Sequence, residues 1–285
     1  LFAWVRQDPE MEVFLISCGI TLAFGLMLVL GCRASGFHLI SRQLYLLTSL
    51  SWVMMSLVGA LPLFFSHFQL SAVDAVFEAV SGITTTGSTV LSGIENLSPS
   101  LLLWRSLLQW LGGLGVIGMA VSILPFLRIG GMRLFHTESS DWSDKSIPRI
   151  QSLARLLVLT YLTLTVACIT SYWLVGMTFF DAVNHAMATV STGGFATDDR
   201  SMGRFDAPIL WVSILFMILS ALPFTLLIGF ARRPSLALLN NQQVLGFFGI
   251  IVAVTLLLTV DLINLNLFTP YEAVTKAAFN LVSVM

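Results

Sequence analysis

The feature that most restricts this fold is a series of six apolar runs, each long enough to cross a bilayer as a helix. A membrane core takes about 20 residues of α-helix. The runs are Met11–Cys32, Leu44–Phe65, Leu101–Leu127, Leu153–Gly176, Pro208–Phe230 and Val244–Phe268. None is strongly amphipathic, as expected of helices surrounded by lipid and by one another. Composition agrees, with 56% hydrophobic and 10% charged residues, against about 25% charged in a soluble domain. The expected class is an all-α polytopic membrane protein. Cys18, Cys32 and Cys168 lie in or at the end of apolar runs, without metal-ligand or disulfide spacing, and read as small apolar residues.

The net charge of −1 says little, but its distribution orients the chain. One set of connections holds Arg33, Arg42, Arg128, Arg133, Lys145, Arg149, Arg155, Arg232 and Arg233, nine of the 14 basic residues. The opposite set holds Arg6, Arg200 and Arg204. By the positive-inside rule the rich side is cytoplasmic. The loop Arg128–Ile150 is then cytoplasmic, and Thr89–Pro99 and Thr197–Asp206 are external.

Two external connections are too long and too apolar to be simple loops. Ser71–Ser88 reads SAVDAVFEAVSGITTTGS and Phe179–Phe195 reads FFDAVNHAMATVSTGGF. Both carry Asp-Ala-Val, at Asp74 and Asp181, and both reach a glycine 13 residues later, at Gly87 and Gly194. Each glycine follows a run of small Ser/Thr/Gly residues. An internal repeat of this kind outranks a single motif. A third copy begins at Tyr271-Glu272-Ala273-Val274. Aligning Glu272 with Asp74 puts its glycine at Met285; aligning Phe279, Val282 and Ser283 with Phe77, Val80 and Ser81 puts it past Met285. The second alignment is preferred and makes the third short helix about one turn longer.

Each unit therefore reads as a spanning helix, a half-membrane helix, an extended Thr/Gly segment and a second spanning helix. The short runs Val73–Ile83 and Ala182–Val190 cannot span, and their acidic starts suit a helix N-terminus. Their C-termini then point to the membrane centre, where the partial negative charge favours a cation. Non-helical backbone at membrane depth is tolerated where it is buried in protein or lines a watery cavity. Small oxygen-bearing side chains and glycine allow backbone carbonyls to replace an ion's hydration shell. Thr84–Ser88 and Ser191–Phe195 contain no carboxylate. A carbonyl-lined filter of this kind suits monovalent cations rather than divalent ones. The carbonyls expected to meet the cation are those of Thr85, Thr86, Thr192 and Gly193.

At these residues the chain resembles the Trk/Ktr/HKT superfamily of potassium transporters, and most the bacterial TrkH-type uptake subunit. The resemblance rests on SGITTTGSTV (Ser81–Val90), LLQWLGGLGVIGMAVSILP (Leu107–Pro125) with IGGM (Ile129–Met132), and HAMATVSTGGFAT (His185–Thr197). It covers essentially the whole chain. It implies a pseudo-fourfold, potassium-channel-like architecture with four such units around one pore. Thr84, Thr85, Thr86, Gly87 and Ser88 match the first filter strand; Ser191, Thr192, Gly193, Gly194 and Phe195 match the second. The expected organisation is an accessory helix over 1–40, a first unit over 41–148, a second over 149–242 and the start of a third over 243–285. On this reading the chain, which starts at Leu1 and stops at Met285, is a fragment of the conduit. The resemblance also implies residence in the bacterial inner membrane, a homodimer, and a cytoplasmic nucleotide-binding ring of TrkA or KtrA type. Membrane lipid is expected as a partner and nucleic acid is not; no cofactor is expected, K⁺ being the transported ion.

Other polar residues have two readings each. Arg105 and Gln109, four residues apart, either bond to the short helix or filter backbone and hold the loop, or Arg105 snorkels to the interface. Glu78 either draws cations to the mouth or pairs with Arg105. Lys276 is expected to point away from the cation path. Gly113-Leu114-Gly115-Val116-Ile117-Gly118 fits a dinucleotide fingerprint but sits inside an apolar run, so close helix packing by Gly112, Gly115 and Gly118 is the better reading. Among functions, selective K⁺ uptake leads. A Na⁺-permeable relative is the runner-up; by resemblance, glycine at Gly87 and Gly194 favours K⁺. A filter subunit of an ATP-driven pump is the alternative from another class. An intramembrane enzyme is not expected, since no nucleophile–base pair, His-rich metal motif or Asp dyad is visible.

Overall fold

A computed structural model describes residues 2–31, 41–123, 146–224, 226–227, 242–265 and 268–285. They form helices α1 (Phe2–Arg6), α2 (Met11–Gly31), α3 (Ser41–Phe64), α4 (Ala72–Ile83) and α5 (Pro99–Ile123), then α6 (Ser146–Leu174), α7 (Phe179–Val190), α8 (Ala207–Ala221), α9 (Gln242–Asn264) and α10 (Pro270–Val284). No strand occurs among the described residues. Five helices are long and apolar enough to cross a membrane: α2 and α9, and the apolar parts of α3, α5 and α6. Their lipid-side chains are exposed, as a bilayer requires: Leu22, Leu26 and Val29 on α2, Leu256 and Leu257 on α9.

The fifth expected span, Pro208–Phe230, is interrupted. Helix α8 ends at Ala221, and Leu222 is extended, with φ −73° and ψ 144°. The cause is Pro223, whose ring disfavours helical backbone in the residue before it. A second departure lies at the expected loop Arg128–Ile150, whose last residues, Ser146–Ile150, are already helical as the start of α6. The basic residues Arg33, Arg128, Arg133, Lys145, Arg232 and Arg233, on which the orientation chiefly rests, lie outside the described residues.

The chain divides into two compact units, Leu1–Ala154 and Arg155–Met285, with the division inside α6. In the first, α4 packs between α3 and α5, and α2 lies on α3. Gly112 on α5 lets the α4 C-terminus approach, since a Cβ there would stand 2.0 Å from the Ile83 carbonyl oxygen. Among the described residues, Gly115 meets only ordinary contact with Trp52, and Gly118 has nothing within 4 Å. The close-packing expectation therefore holds at the first of the three glycines. The stretch before α2 is tied down by Asp8, whose Oδ2 accepts from the Ser100 amide and hydroxyl at 3.2 and 2.8 Å. Glu10 accepts from the His67 amide at 3.2 Å.

In the second unit, α7 packs on α8, and α10 packs on α8 and α9. Ile214, Ile251, Ala278 and Val282 form the apolar cluster that joins α8, α9 and α10. Behind α7, the buried Tyr172 hydroxyl lies 2.8 Å from both Thr189 Oγ1 and Ser213 Oγ.

Candidate functional site

The three short helices start in the same way. Ser71, Thr178 and Thr269 are N-caps, with φ between −59° and −64° and ψ between 149° and 155°. Each side chain accepts from the amide three residues on, at Asp74, Asp181 and Glu272. Each carboxylate in turn accepts from the cap hydroxyl, at 2.7, 2.8 and 2.9 Å. Ser/Thr at the cap satisfies one orphan amide, and the acid places negative charge at the positive helix end; at Thr269 the Glu272 carboxylate also accepts from the cap amide at 3.0 Å, which completes a capping box. The Thr269 amide and hydroxyl hold the Glu272 carboxyl below its ordinary range. Helices α4 and α7 have 12 residues each and α10 has 15. Lys276 on α10 is exposed and lies over the Phe268 ring at 3.7 Å.

Past α4 and α7 the two backbones coincide residue by residue, at a constant offset of 107 positions. The C-caps Thr84 and Ser191 have φ/ψ of −80°/1° and −79°/−4°. Thr85 and Thr192 follow at φ 56° and 55°, and Gly87 and Gly194 at 78° and 90°. Left-handed backbone is an outlier for a β-branched residue and costs about 1–3 kcal/mol. It persists where surroundings over-determine it, which is most often a functional site. The local restraints match: Thr86 donates its amide to Ser81 O at 2.9 Å, and Gly193 to Ala188 O at 2.8 Å.

The carbonyls differ in use. Ser88 O accepts from the Ser81 hydroxyl at 2.6 Å, so this last residue of the expected first strand has its oxygen turned back to α4. Among the described residues, no hydrogen bond reaches the carbonyls of Thr85, Thr86, Thr192 or Gly193. Around them, Thr84, Thr86, Thr192 and Gly194 are exposed, Thr85 and Gly87 half-buried, and Ser191, Gly193 and Phe195 buried. Unpaired carbonyls at the negative end of a helix make a place where a cation is stabilised.

The expected supporting residues come together in the first unit. Glu78 and Arg105 are 0% and 1% exposed and pair at 3.3 Å. Glu78 Oε1 accepts from the Thr89 hydroxyl and from the Val90 amide, the latter at 2.8 Å. Arg105 also donates to Thr89 Oγ1 at 3.2 Å. Arg105 therefore does not snorkel; it neutralises Glu78, and the pair grips the chain just beyond the strand. Gln109 is buried on α5 one turn from Arg105. In the second unit His185 replaces Glu78 at the same register. Its Nε2 lies 3.3 Å from Thr197 Oγ1, and Thr197 donates to Asp181 Oδ1 at 2.7 Å. The Phe205 ring stands edge-on to the imidazole at 5.1 Å. The 107-residue offset aligns His185 with Glu78, whereas Thr197 and Phe205 reach it only through the fold.

Apolar spanning helices, capped half-helices and left-handed Thr/Gly strands define a multi-pass membrane protein with re-entrant loops. Comparison with known proteins places it further. The model of the TrkH family, described as cation transport protein, matches residues 10–283, and the chain belongs to that family. It is 45% identical to the Trk system potassium uptake protein TrkI of Halomonas elongata over 99% of this chain and 57% of that protein. It is 39% identical to the Trk system potassium uptake protein TrkH of Escherichia coli K12, over 90% of this chain and 55% of the relative. The crystal structure of the potassium transporter TrkH from Vibrio parahaemolyticus superposes with a TM-score of 0.88 at 35% identity, covering 99% of this chain and 58% of that one. The chain thus spans a little over half the length of these relatives. Family and helices together make it a multi-pass protein of the bacterial inner membrane.

Proposed function

We propose that the chain is part of a selective K⁺ uptake pathway. Each Thr/Gly strand offers backbone carbonyls to a dehydrated ion. The observation that carries this is the recurrence of left-handed backbone at every second residue, Thr85/Gly87 and Thr192/Gly194, at one register in two segments. At Gly194 no described residue lies within 4 Å of where a Cβ would be, so close packing does not account for the left-handed backbone there. It serves to orient carbonyls. The ligands on this reading are Thr85, Thr86, Thr192 and Gly193, with Thr84, Gly87, Ser88, Ser191, Gly194 and Phe195 shaping the strands and Glu78, Arg105 and Gln109 supporting the first. The relatives named as potassium uptake proteins support the choice of ion.

The four-part division at 40, 148 and 242 belongs to the same proposal, as do a homodimeric assembly and a TrkA/KtrA-type nucleotide-binding ring, which rest on the family. The test is ⁸⁶Rb⁺ or K⁺ flux in liposomes containing the purified transporter that includes this segment. The expected result is flux without any ATPase subunit, inhibited far less by Na⁺ than by K⁺. Flux that requires an ATPase subunit would favour the pump alternative, and equal Na⁺ and K⁺ flux would favour a Na⁺-permeable transporter.

A further inference from the structure

The register of the two repeats exposes a role for residues outside the strands. In the first, the outer end of the strand is tied to α4 by Glu78, which accepts from the Thr89 hydroxyl and the Val90 amide. In the second, the residue at the register of Val90 is Thr197, and the residue at the register of Glu78 is His185. Both are buried, at 4% and 3% exposure. Thr197 has one hydroxyl proton, and its 2.7 Å contact with Asp181 Oδ1 takes it. Asp181 is an acceptor there. It lies in the first turn of α7, where negative charge is favoured, its Oδ2 accepts from Thr178, and the Arg204 guanidinium is 3.7 Å away. The Thr197 oxygen is therefore left to accept, and His185 Nε2 carries the hydrogen. Proton placement follows from this donor inventory.

We propose that His185 and Thr197 are positioning residues for the second strand. The chain His185 Nε2–H to Thr197 Oγ1–H to Asp181 Oδ1 anchors the backbone three residues past Gly194 to two successive turns of α7. Glu78 does the same in the first repeat with a charge that Arg105 must balance. In the second repeat the charge sits on Asp181, at the start of α7 and 3.7 Å from Arg204, and His185 reaches it only through the Thr197 hydroxyl. This role rests on the filter reading of Ser191–Phe195, and it acts on selectivity through the set of the strand rather than through contact with the ion.

The test uses cells whose K⁺ uptake depends on the transporter containing this segment, with K⁺ and Na⁺ uptake measured side by side and membrane abundance followed by immunoblot. Two pairs of variants separate anchoring from bulk packing. Thr197→Val keeps the shape and loses both hydrogen bonds, whereas Thr197→Ser keeps them. His185→Leu loses the donor, whereas His185→Gln keeps an amide N–H at similar reach. The expected result is a five- to tenfold fall in K⁺ over Na⁺ discrimination in Thr197→Val and His185→Leu, about the effect of one lost buried hydrogen bond. Thr197→Ser and His185→Gln should stay within twofold of the parent. If one disrupted variant fails to reach the membrane, the other pair decides. Parent-like discrimination in a disrupted variant present at parent abundance overturns the proposal, as does equal loss in both members of a pair. A parent that does not discriminate K⁺ from Na⁺ overturns the filter reading itself, which is a separate outcome.

Discussion

In the first repeat the outer end of the Thr/Gly strand is held by a carboxylate, Glu78, buried with the Arg105 guanidinium. In the second repeat a histidine occupies that register, and a threonine hydroxyl connects it to Asp181. Between these unlike anchors the backbones agree within a few degrees at the C-cap and the first left-handed residue, and within 12° at the glycine. The difference teaches that strand geometry is the shared requirement and that the side chains meeting it are interchangeable in kind. It also makes the repeats unequal in fragility. A buried ion pair costs desolvation on both sides, and removing one partner leaves the other charge uncompensated. The second anchor also ends on a carboxylate, Asp181, but that charge sits at a helix N-terminus beside the part-exposed Arg204 guanidinium at 3.7 Å, so it depends less on one buried partner.

The largest expected effect follows from that inequality. Arg105→Leu strands the Glu78 carboxylate and should destabilise the protein by about 3–5 kcal/mol. Thermal unfolding in detergent would show it, and adding Glu78→Leu should recover part of the loss. A single variant as stable as the parent would break the comparison, because the two anchors would then be equally tolerant. Next comes Gly112→Ala, where the new Cβ would meet the Ile83 carbonyl oxygen at 2.0 Å and push α5 from the end of α4. The expected cost is about 1–3 kcal/mol, with loss of ion discrimination, while Gly115→Ala, facing Trp52 at 3.5 Å, stays near neutral. Equal effects at the two glycines would contradict the close contact.

On the second repeat, Tyr172→Phe removes a hydroxyl that bonds both Thr189 and Ser213 and should cost about 1–2 kcal/mol by the same unfolding assay. The smallest effect is at the loop over 198–204. The Arg200 amide and guanidinium, with Arg204 beyond, hold the Asp198 carboxyl below its ordinary range. A depressed carboxylate stabilises above its unfolded value of about 3.9 and loses that contribution as pH falls through the lower folded value. Amide protection factors over 198–204, taken relative to the intrinsic exchange rate at each pH, should therefore fall on acidification below about pH 4, and Asp198→Asn should abolish that fall.

Much of this was legible in local signals. The Ser71/Asp74 and Thr178/Asp181 spacings are helix-start signatures, and the 13-residue interval to each glycine marks the repeat without reference to the fold. The spans followed from length and apolarity. The end of α8 did not, because one proline in an apolar run was outweighed by the hydropathy around it, although Pro223 is the local signal that could have found it. The anchors were half visible. Glu78 with Arg105 stood as one of two readings, since an acid and a base 27 residues apart meet only if α4 packs on α5. Thr197 was hidden because a threonine in a polar loop has no distinguishing pattern until the strand folds back toward α7.

The most direct test of the central claim, that both strands present backbone carbonyls to K⁺, is the K⁺ over Na⁺ uptake ratio of Gly87→Ser and Gly194→Ser. A side chain at these left-handed positions disturbs the carbonyl orientation in either strand. Both variants are expected to lose K⁺ over Na⁺ discrimination while remaining in the membrane. Unchanged ratios in both, at parent abundance, would contradict the account.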